Sequence, residues 1–139
     1  MADIKFILGS ETDAKDANEL LKIWERLGIE TEVSIGSCHW HTGDDKAGFE
    51  KFIKEIREKI IVFIGGMSLA APGIIEAINK VNNQSDKIVF AVPTDQAARS
   101  AIEDVPKGTA LLTSGLNTIS LKHSLFNSAV AVAKLALCL

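Results

Sequence analysis

The densest group of reactive side chains in the sequence lies between Ile35 and Asp44. His39 is suited to general acid or base chemistry, because the ordinary pKa of an imidazole lies near neutrality. Cys38, His39 and His41, with Asp44 nearby, also offer thiolate, imidazole and carboxylate ligands for a metal ion. A nucleophilic Cys38 with a histidine base is a further alternative, and a merely solvated loop histidine is another. Proton transfer, metal binding, nucleophilic catalysis and simple solvation therefore all stay open for this segment.

A second group of functional side chains lies in the segment from Gly9 to Asp13. Gly9 and Ser10 let the backbone approach a ligand closely, and the N–H groups that begin the next helix can bind a phosphate. The carboxylate of Asp13 is better suited to accept hydrogen bonds from ribose hydroxyls or an amine. Ser10 and Asp13 are also typical of a capping pair at a helix start. The binding and capping interpretations are therefore both open.

A third distinctive segment runs from Gly65 to Gly73 and carries almost no ionisable side chain. Its backbone amides, together with small residues such as Ser68 and Ala70, suit a small, flat or apolar ligand held by the main chain. A tight turn that only lets a strand and a helix pack is the alternative interpretation.

Short apolar or β-branched runs alternate along the chain with segments of helical periodicity. The strands are predicted at Ile4 to Leu8, Thr31 to Ile35, Ile60 to Ile64, Lys87 to Val92 and Ala110 to Thr113. The helices are predicted from about Thr12 to Leu27, about Asp44 to Glu58, Ala70 to Val81, about Asp95 to Glu103 and Ser120 to Leu137. This alternation predicts an α/β fold with a parallel sheet of about five strands and helices on both faces.

The three distinctive segments each follow a predicted strand. In an open parallel sheet, ligands bind beyond the carboxyl ends of the strands, at the point where the strand order reverses. If the three segments are neighbours at that edge, they form one pocket. The elements thus position the candidate site as well as the core.

Length and composition exclude several classes of protein. The 139 residues predict a single domain, and the net charge of −3 with a pI near 5.6 argues against binding of nucleic acid through its phosphates. The first residues show no secretory signal, and the apolar final helix carries Lys122 and Lys134, which do not suit a bilayer. Cys38 and Cys138 are expected to be free thiols in a reducing cytoplasm.

Taken together, these segments resemble one family, the phosphoribosylaminoimidazole carboxylases and carboxyaminoimidazole ribonucleotide mutases of purine biosynthesis. Its first turn reads Gly-Ser-x-Ser-Asp, and this chain has Gly9-Ser10-Glu11-Thr12-Asp13. Its second loop reads Ser-Ala-His, a basic residue and Thr, against Ser37-Cys38-His39-Trp40-His41-Thr42. The glycine-rich loop from Gly65 to Gly73 and the turn from Val105 to Gly108 complete the resemblance.

The resemblance implies a flavodoxin-like three-layer α/β/α sandwich that assembles as a homo-octamer, with a site that needs neither metal nor organic cofactor. It implies that Ser10 and Ser37 contact the substrate phosphate and that Asp13 contacts the ribose. His39 would exchange the proton at the imidazole carbon of an aminoimidazole ribonucleotide, while carbon dioxide is held against the glycine-rich loop. The substrate-binding residues are expected to be Ser10, Asp13, Ser37, Trp40, Gly65, Gly66, Ser68 and Ala70.

Several positions depart from the family pattern. Trp40 replaces a basic residue, and His41 is either a substitution or an insertion of one residue. Ala70 stands where the bacterial mutases have a second histidine, and Met67 to Leu69 replaces the Arg-Ser-Asn of the animal carboxylases. Two further hypotheses therefore stay open. One is a diverged homologue that binds a nucleotide or small anion without carboxyl transfer, and the other is a redox or metal module built on Cys38, His39 and His41.

Overall fold

In the computed structural model the strands form one parallel sheet in the order β2-β1-β3-β4-β5. The structure describes residues 1–36, 46–66, 71–94, 119–120 and 125–139. The strands are β1 (Ile4–Leu8), β2 (Thr31–Ile35), β3 (Ile60–Gly65), β4 (Ile88–Pro93) and β5 (Ile119–Ser120). The α-helices of the described part are α1 (Ala14–Arg26), α2 (Lys46–Lys54), α3 (Ala71–Val81) and α4 (Leu125–Cys138).

The central strands are buried along their whole length. Every residue of β1 and β3 is buried, and the two strands pair in register from Ile4 with Ile60 to Leu8 with Ile64. A parallel strand covered by helices on both faces needs apolar side chains in both directions, which is why these runs are nearly continuous rather than alternating. The predicted α/β fold is confirmed, and β1 to β4 lie within one residue of their predicted bounds.

Helices cover both faces of the sheet. On one face α1 and α4 pack on the strands, and the Trp24 ring meets that of Phe6 edge-on with the ring centroids 5.0 Å apart. On the other face, α2 and α3 contribute Phe49, Ile53 and Ile75 to a second apolar cluster. Two cores on opposite faces of one sheet make three layers, as the flavodoxin-like resemblance implies.

The first helix differs from its prediction at its start. Residues Glu11–Asp13 form a short 3₁₀ helix, and α1 begins only at Ala14. The far end agrees with the prediction, since Gly28 follows the helix with a φ of 72°. That left-handed conformation is cheap for glycine and disfavoured for residues with a Cβ atom.

Two other helices are shorter than predicted. Helix α2 ends at Lys54 instead of Glu58, because the N–H of Ile56 bonds to the Ile53 carbonyl in a tighter turn (3.2 Å) that leads toward β3. Helix α4 does not include Ser120 as predicted, because Ser120 pairs with Ala91 of β4 and belongs to the sheet; the described part of the helix is Leu125–Cys138. The predicted helix at 95–103 and the predicted strand at 110–113 lie outside the described residues.

The closing helix α4 has apolar side chains on both of its sides. Its buried face carries Ala129, Val132 and Ala133, whereas Phe126 and Leu137 are 63% and 64% exposed. This agrees with the prediction of a helix that is apolar almost all round. Within the described residues, no helix combines the length and the apolar character that a membrane crossing requires.

Candidate functional site

The carboxyl ends of β2, β1, β3 and β4 lie side by side at one edge of the sheet. Three backbone hydrogen bonds continue the ladder past the strands: Gly36 N–H to the Leu8 carbonyl, Gly9 N–H to the Ile64 carbonyl, and Thr94 N–H to the Gly65 carbonyl, each 2.9 Å. The strand order reverses between β1 and β3, because β2 lies on one side of β1 and β4 on the other side of β3. The loops after β1 and β3 therefore begin at the point where such sheets bind ligands.

Gly9 brings the first loop against the end of β3. A Cβ atom at this position would lie 3.3 Å from Asp13 Oδ2 and 3.3 Å from the Phe63 ring. Both contacts are tighter than ordinary van der Waals packing, so a larger residue would push the Asp13 carboxylate away from the strand ends. Gly9 thus lets the backbone lie close to this carboxylate, and close approach to a ligand stays a prediction.

The carboxylate of Asp13 is held at this edge of the sheet by several hydrogen bonds. It is 7% exposed, and its Oδ2 atom accepts hydrogen bonds from the Ser10 N–H (3.0 Å) and the Ser10 hydroxyl (3.3 Å). Its Oδ1 atom accepts a hydrogen bond from the Thr94 hydroxyl (3.1 Å), which arrives from the end of β4. Three donors from two loops therefore fix the position of one acceptor group.

Ser10 and Asp13 form the capping arrangement that the sequence left open. The Asp13 carboxylate bonds back to the Ser10 backbone, and Ser10 is the N-cap residue of the 3₁₀ helix Glu11–Asp13. The Ser10 hydroxyl also lies 2.6 Å from that of Thr12. Capping does not account for every polar atom of Ser10, Thr12 and Asp13, because the hydroxyl oxygens of Ser10 and Thr12 lie at the exposed side of the loop. Substrate binding by Ser10 and Asp13 stays a prediction.

The structure brings some of the predicted site residues together. Ser10, Asp13, Gly65 and Gly66 all lie at the carboxyl ends of β1 and β3. The other predicted site residues lie outside the described part of the chain, and their roles stay predictions; they are Ser37, His39, Trp40, Ser68 and Ala70. Cys38 and His41, on which the metal and redox hypotheses depend, lie outside it as well.

Thr94 is a functional candidate that the sequence interpretation missed. It follows Pro93 directly, so its only signal was a hydroxyl residue at the carboxyl end of a predicted strand. Its partner Asp13 is 81 residues away in the chain, and local patterns carry no information about such a contact. Among the described residues, no three His, Cys, Asp or Glu side chains come together in a way that would hold a metal ion.

A cavity of about 410 Å³ lies near the opposite, amino-terminal ends of β1 and β2. The buried Lys5 ammonium forms part of its wall and bonds to Ser34 Oγ (2.7 Å) and Glu32 Oε1 (3.2 Å), with the Phe52 ring centroid 5.4 Å away. The remaining lining includes Glu55, Arg57 and Glu58. The ammonium of Lys5 is already paired with Glu32 and Ser34. These side chains therefore serve to stabilise a buried positive charge within the sheet.

We expect Glu32 to link folding stability to acid pH. Its hydrogen bond with Lys5, followed by the charge of Lys5, lowers the pKa of the Glu32 carboxyl below its ordinary value. A carboxyl whose pKa is lower in the folded state stabilises the protein above its unfolded-state pKa, and this contribution is lost as the pH falls through the folded-state pKa. Glu32→Gln should therefore reduce the free energy of unfolding at pH 7 and flatten its decrease in acid.

Urea unfolding at pH 7 and at about pH 3.5 measures this effect. Glu30→Gln is the matched control, because Glu30 is exposed beside the same strand and its side chain makes none of the Lys5 contacts. Parallel pH profiles for Glu32→Gln and the wild type would contradict the expected role of the Lys5 and Glu32 pair.

Comparisons with known proteins agree with this fold and with the family that the sequence resembles. No family model matches the chain. It is 28% identical over 120 residues to the N5-carboxyaminoimidazole ribonucleotide mutase of Methanocaldococcus jannaschii, an alignment covering 82% of this chain and 69% of that protein. Among solved structures, PurE of Treponema denticola superimposes with a TM-score of 0.68 at 20% identity, over 95% of this chain and 78% of the other.

A substituted PurE2 from the same organism gives a TM-score of 0.65 at 19% identity, over 95% of this chain and 77% of the other. At these identities the two structures establish the fold, and the flavodoxin-like prediction is confirmed. The sequence match to the mutase confirms the resemblance to its family as a distant relationship.

Proposed function

We propose that this chain, as a distant relative of the carboxylase and mutase family, is an enzyme of purine biosynthesis that transfers a carboxyl group on an aminoimidazole ribonucleotide. The observation that carries the proposal is the Asp13 carboxylate, fixed by Ser10 and Thr94 at the β1/β3 reversal point of a chain related to a mutase of this class. A small ribonucleotide is the proposed substrate, and the site lies beyond the strand ends.

Each part of the substrate has a proposed partner. Ser10 and Ser37 bind the phosphate, and Asp13 accepts a hydrogen bond from the ribose. His39 takes the proton from the imidazole carbon that gains the carboxyl group and returns it in the reverse direction, which is general acid and base catalysis by a group that titrates near neutral pH. Trp40 lies beside His39 in the sequence and is proposed to contact the substrate.

The glycine-rich loop is proposed to hold carbon dioxide during the transfer. Carbon dioxide has no net charge, so backbone amides and small residues suit it better than a charged side chain. Gly65, Gly66, Ser68 and Ala70 supply such a surface. In this arrangement a histidine transfers the proton and the main chain holds the carbon dioxide, so neither a metal nor an organic cofactor is needed. We therefore propose a cofactor-independent lyase or isomerase.

Trp40 favours a second candidate function. The family has a basic residue at this position, and its loss removes a charge-assisted phosphate contact worth about 1.5 to 3 kcal/mol, or roughly ten- to a hundredfold in affinity. A diverged homologue that binds a nucleotide or a small anion without transferring a carboxyl group is the alternative. Stacking of Trp40 on the base would offset part of the lost affinity.

A thermal-shift panel separates these functions. We expect aminoimidazole ribonucleotide to raise the unfolding temperature more than other nucleotides, flavin or zinc, because a ligand that binds only the folded state stabilises it. A larger shift with another nucleotide would support the diverged homologue. A shift with flavin or zinc alone would support the redox or metal module.

We also propose that the chain assembles as a homo-oligomer, with the octamer of its family as the expected form, and works in the cytoplasm. The apolar residues on the exposed side of α4, such as Phe126 and Leu137, support association. Sedimentation should show a species well above the monomer mass of 15.0 kDa. A clean monomer would count against the proposal.

A further inference from the structure

Thr94 links two loops that are separated by a strand. Its backbone N–H bonds to the Gly65 carbonyl at the end of β3 (2.9 Å), and its hydroxyl donates to Asp13 Oδ1 in the loop after β1 (3.1 Å). Strand β3 lies between β1 and β4, so this contact spans two strand spacings, about 10 Å, across the carboxyl end of β3. The Thr94 hydroxyl therefore lies above the reversal point of the sheet.

The hydrogen bond between Thr94 and Asp13 uses only part of the bonding capacity of its two oxygen atoms. A threonine hydroxyl has one hydrogen and two acceptor lone pairs, and the hydrogen of Thr94 is given to Asp13. Thr94 Oγ1 is then left as an acceptor. Asp13 Oδ1 has room for a second hydrogen bond, because within the described part of the chain it receives only the one from Thr94. Two acceptor oxygens thus lie 3.1 Å apart at the edge of the site.

Two neighbouring acceptor oxygens favour a ligand that carries no negative charge there and donates two hydrogen bonds. It repels a phosphate, which offers only acceptors and negative charge. It suits two hydroxyl groups on adjacent carbons, because each supplies one hydrogen and the two oxygens are held close together. Thr94 is only partly buried, whereas Asp13 is 7% exposed, so Thr94 is the more accessible member of the pair.

We propose that Thr94 Oγ1 and Asp13 Oδ1 together accept the two vicinal ribose hydroxyls of the ribonucleotide, which makes Thr94 a specificity-determining binding residue. This inference rests on the proposed function for the identity of the ribonucleotide. It adds a second acceptor, from the end of β4, to the ribose contact expected of Asp13. One ribose hydroxyl donates to each oxygen, and the hydroxyl of Thr94 keeps its bond to Asp13 throughout.

Isothermal titration calorimetry with matched ligands tests the pair. The ligands are aminoimidazole ribonucleotide and its 2′-deoxy and 3′-deoxy analogues, and the proteins are the wild type, Thr94→Val and Thr94→Ser. We expect Thr94→Val to bind the ribonucleotide roughly three- to tenfold more weakly, as for loss of one hydrogen bond, and Thr94→Ser to restore the affinity.

The decisive result is whether the loss of affinity caused by removing a ribose hydroxyl from the ligand depends on the presence of the Thr94 hydroxyl in the protein. Each deoxy analogue should bind the wild type roughly three- to tenfold more weakly than the parent ribonucleotide, because each lacks one of the two donated hydrogens. Thr94→Val should bind one of the two analogues and the parent equally, because the missing hydroxyl and its acceptor on Thr94 are one interaction. Independent effects of the two changes, or no loss of affinity in Thr94→Val, would overturn the inference.

Thr31→Val is the matched control. Thr31 begins β2 at the opposite end of the sheet, and its hydroxyl has no hydrogen-bond partner within the described part of the chain. This variant should bind every ligand as the wild type does, and a change in its ribose selectivity would overturn the inference.

Turnover of the wild type is measured separately. If the wild type turns over but Thr94→Val shows no coupling, only the ribose inference fails. If the coupling is present without turnover, only the carboxyl-transfer proposal fails. If the ribonucleotide does not bind the wild type at all, both fail.

Discussion

Replacing His39 with asparagine should lower turnover of the ribonucleotide by about two to four orders of magnitude, the usual contribution of general acid and base catalysis. Asparagine has similar size and can donate and accept hydrogen bonds, but it cannot take up and release a proton near neutral pH. Binding of the ribonucleotide should change much less than turnover, because the proposed phosphate and ribose contacts come from other residues. Steady-state kinetics together with calorimetric binding measure the two effects.

The control for this variant is Glu30→Gln, since Glu30 is exposed and directly precedes β2, at the end of the sheet opposite the predicted site. It should keep turnover close to that of the wild type. Both variants should unfold at the same urea concentration as the wild type. Retained turnover in His39→Asn would exclude the assigned proton transfer, and equal losses in both variants would point to a general effect on folding.

Trp24→Ala should cause the largest loss of stability, about 3 to 5 kcal/mol of the free energy of unfolding. Trp24 is fully buried, and its ring packs edge-on against Phe6 in the core between the sheet and α1. Its indole N–H donates to the Ala129 carbonyl of α4 at 2.9 Å, so the same side chain also connects α1 with the closing helix. Small domains have a total stability of only about 5 to 15 kcal/mol, so this loss is a large part of the whole.

Urea unfolding of two further variants separates packing from hydrogen bonding. Trp24→Phe keeps an aromatic ring against Phe6 but removes the indole N–H, so it should cost less than Trp24→Ala, with about 1 kcal/mol from the hydrogen bond. Leu27→Ala is the surface control, because Leu27 is 46% exposed, and it should cost less than about 1 kcal/mol. A cost for Trp24→Ala no greater than that of Leu27→Ala would contradict the described core.

The strands were predictable from the sequence because their burial has a local signature. A strand covered on both faces needs apolar residues at successive positions, and the runs from Ile4 and Ile60 meet this requirement almost throughout. Lys5 is the exception: it is buried at 5% exposure inside such a run. It is tolerated because Glu32 and Ser34 of the neighbouring edge strand bond to its ammonium.

The helix boundaries were less predictable because contacts between distant residues decide them. Ser120 fits a helical pattern, yet it pairs with Ala91 in the sheet, and sequence periodicity does not reveal that pairing. Thr12 also fits the helical pattern, but the bonds between Ser10 and Asp13 tighten this segment into a 3₁₀ turn. In both places a few polar or ladder hydrogen bonds override a weak helical preference.

The candidate site was predictable only where its residues lie close together in the sequence. Gly9, Ser10 and Asp13 lie within five consecutive residues, so their turn and capping chemistry shows in the local pattern. Thr94 does not, because its role depends on β3 lying between β1 and β4. Only the strand order places the end of β4 within hydrogen-bond distance of the loop after β1.

The most direct test of the central claim is the conversion of substrate by the purified chain. The wild type is incubated with N5-carboxyaminoimidazole ribonucleotide, and separately with aminoimidazole ribonucleotide and bicarbonate, and formation of the carbon-carboxylated product is followed by chromatography. We predict product from at least one substrate at a rate that His39→Asn reduces by about two to four orders of magnitude. If the chain binds the ribonucleotide but forms no product from either substrate, carboxyl transfer is contradicted. The alternative function, nucleotide binding without carboxyl transfer, would then be supported.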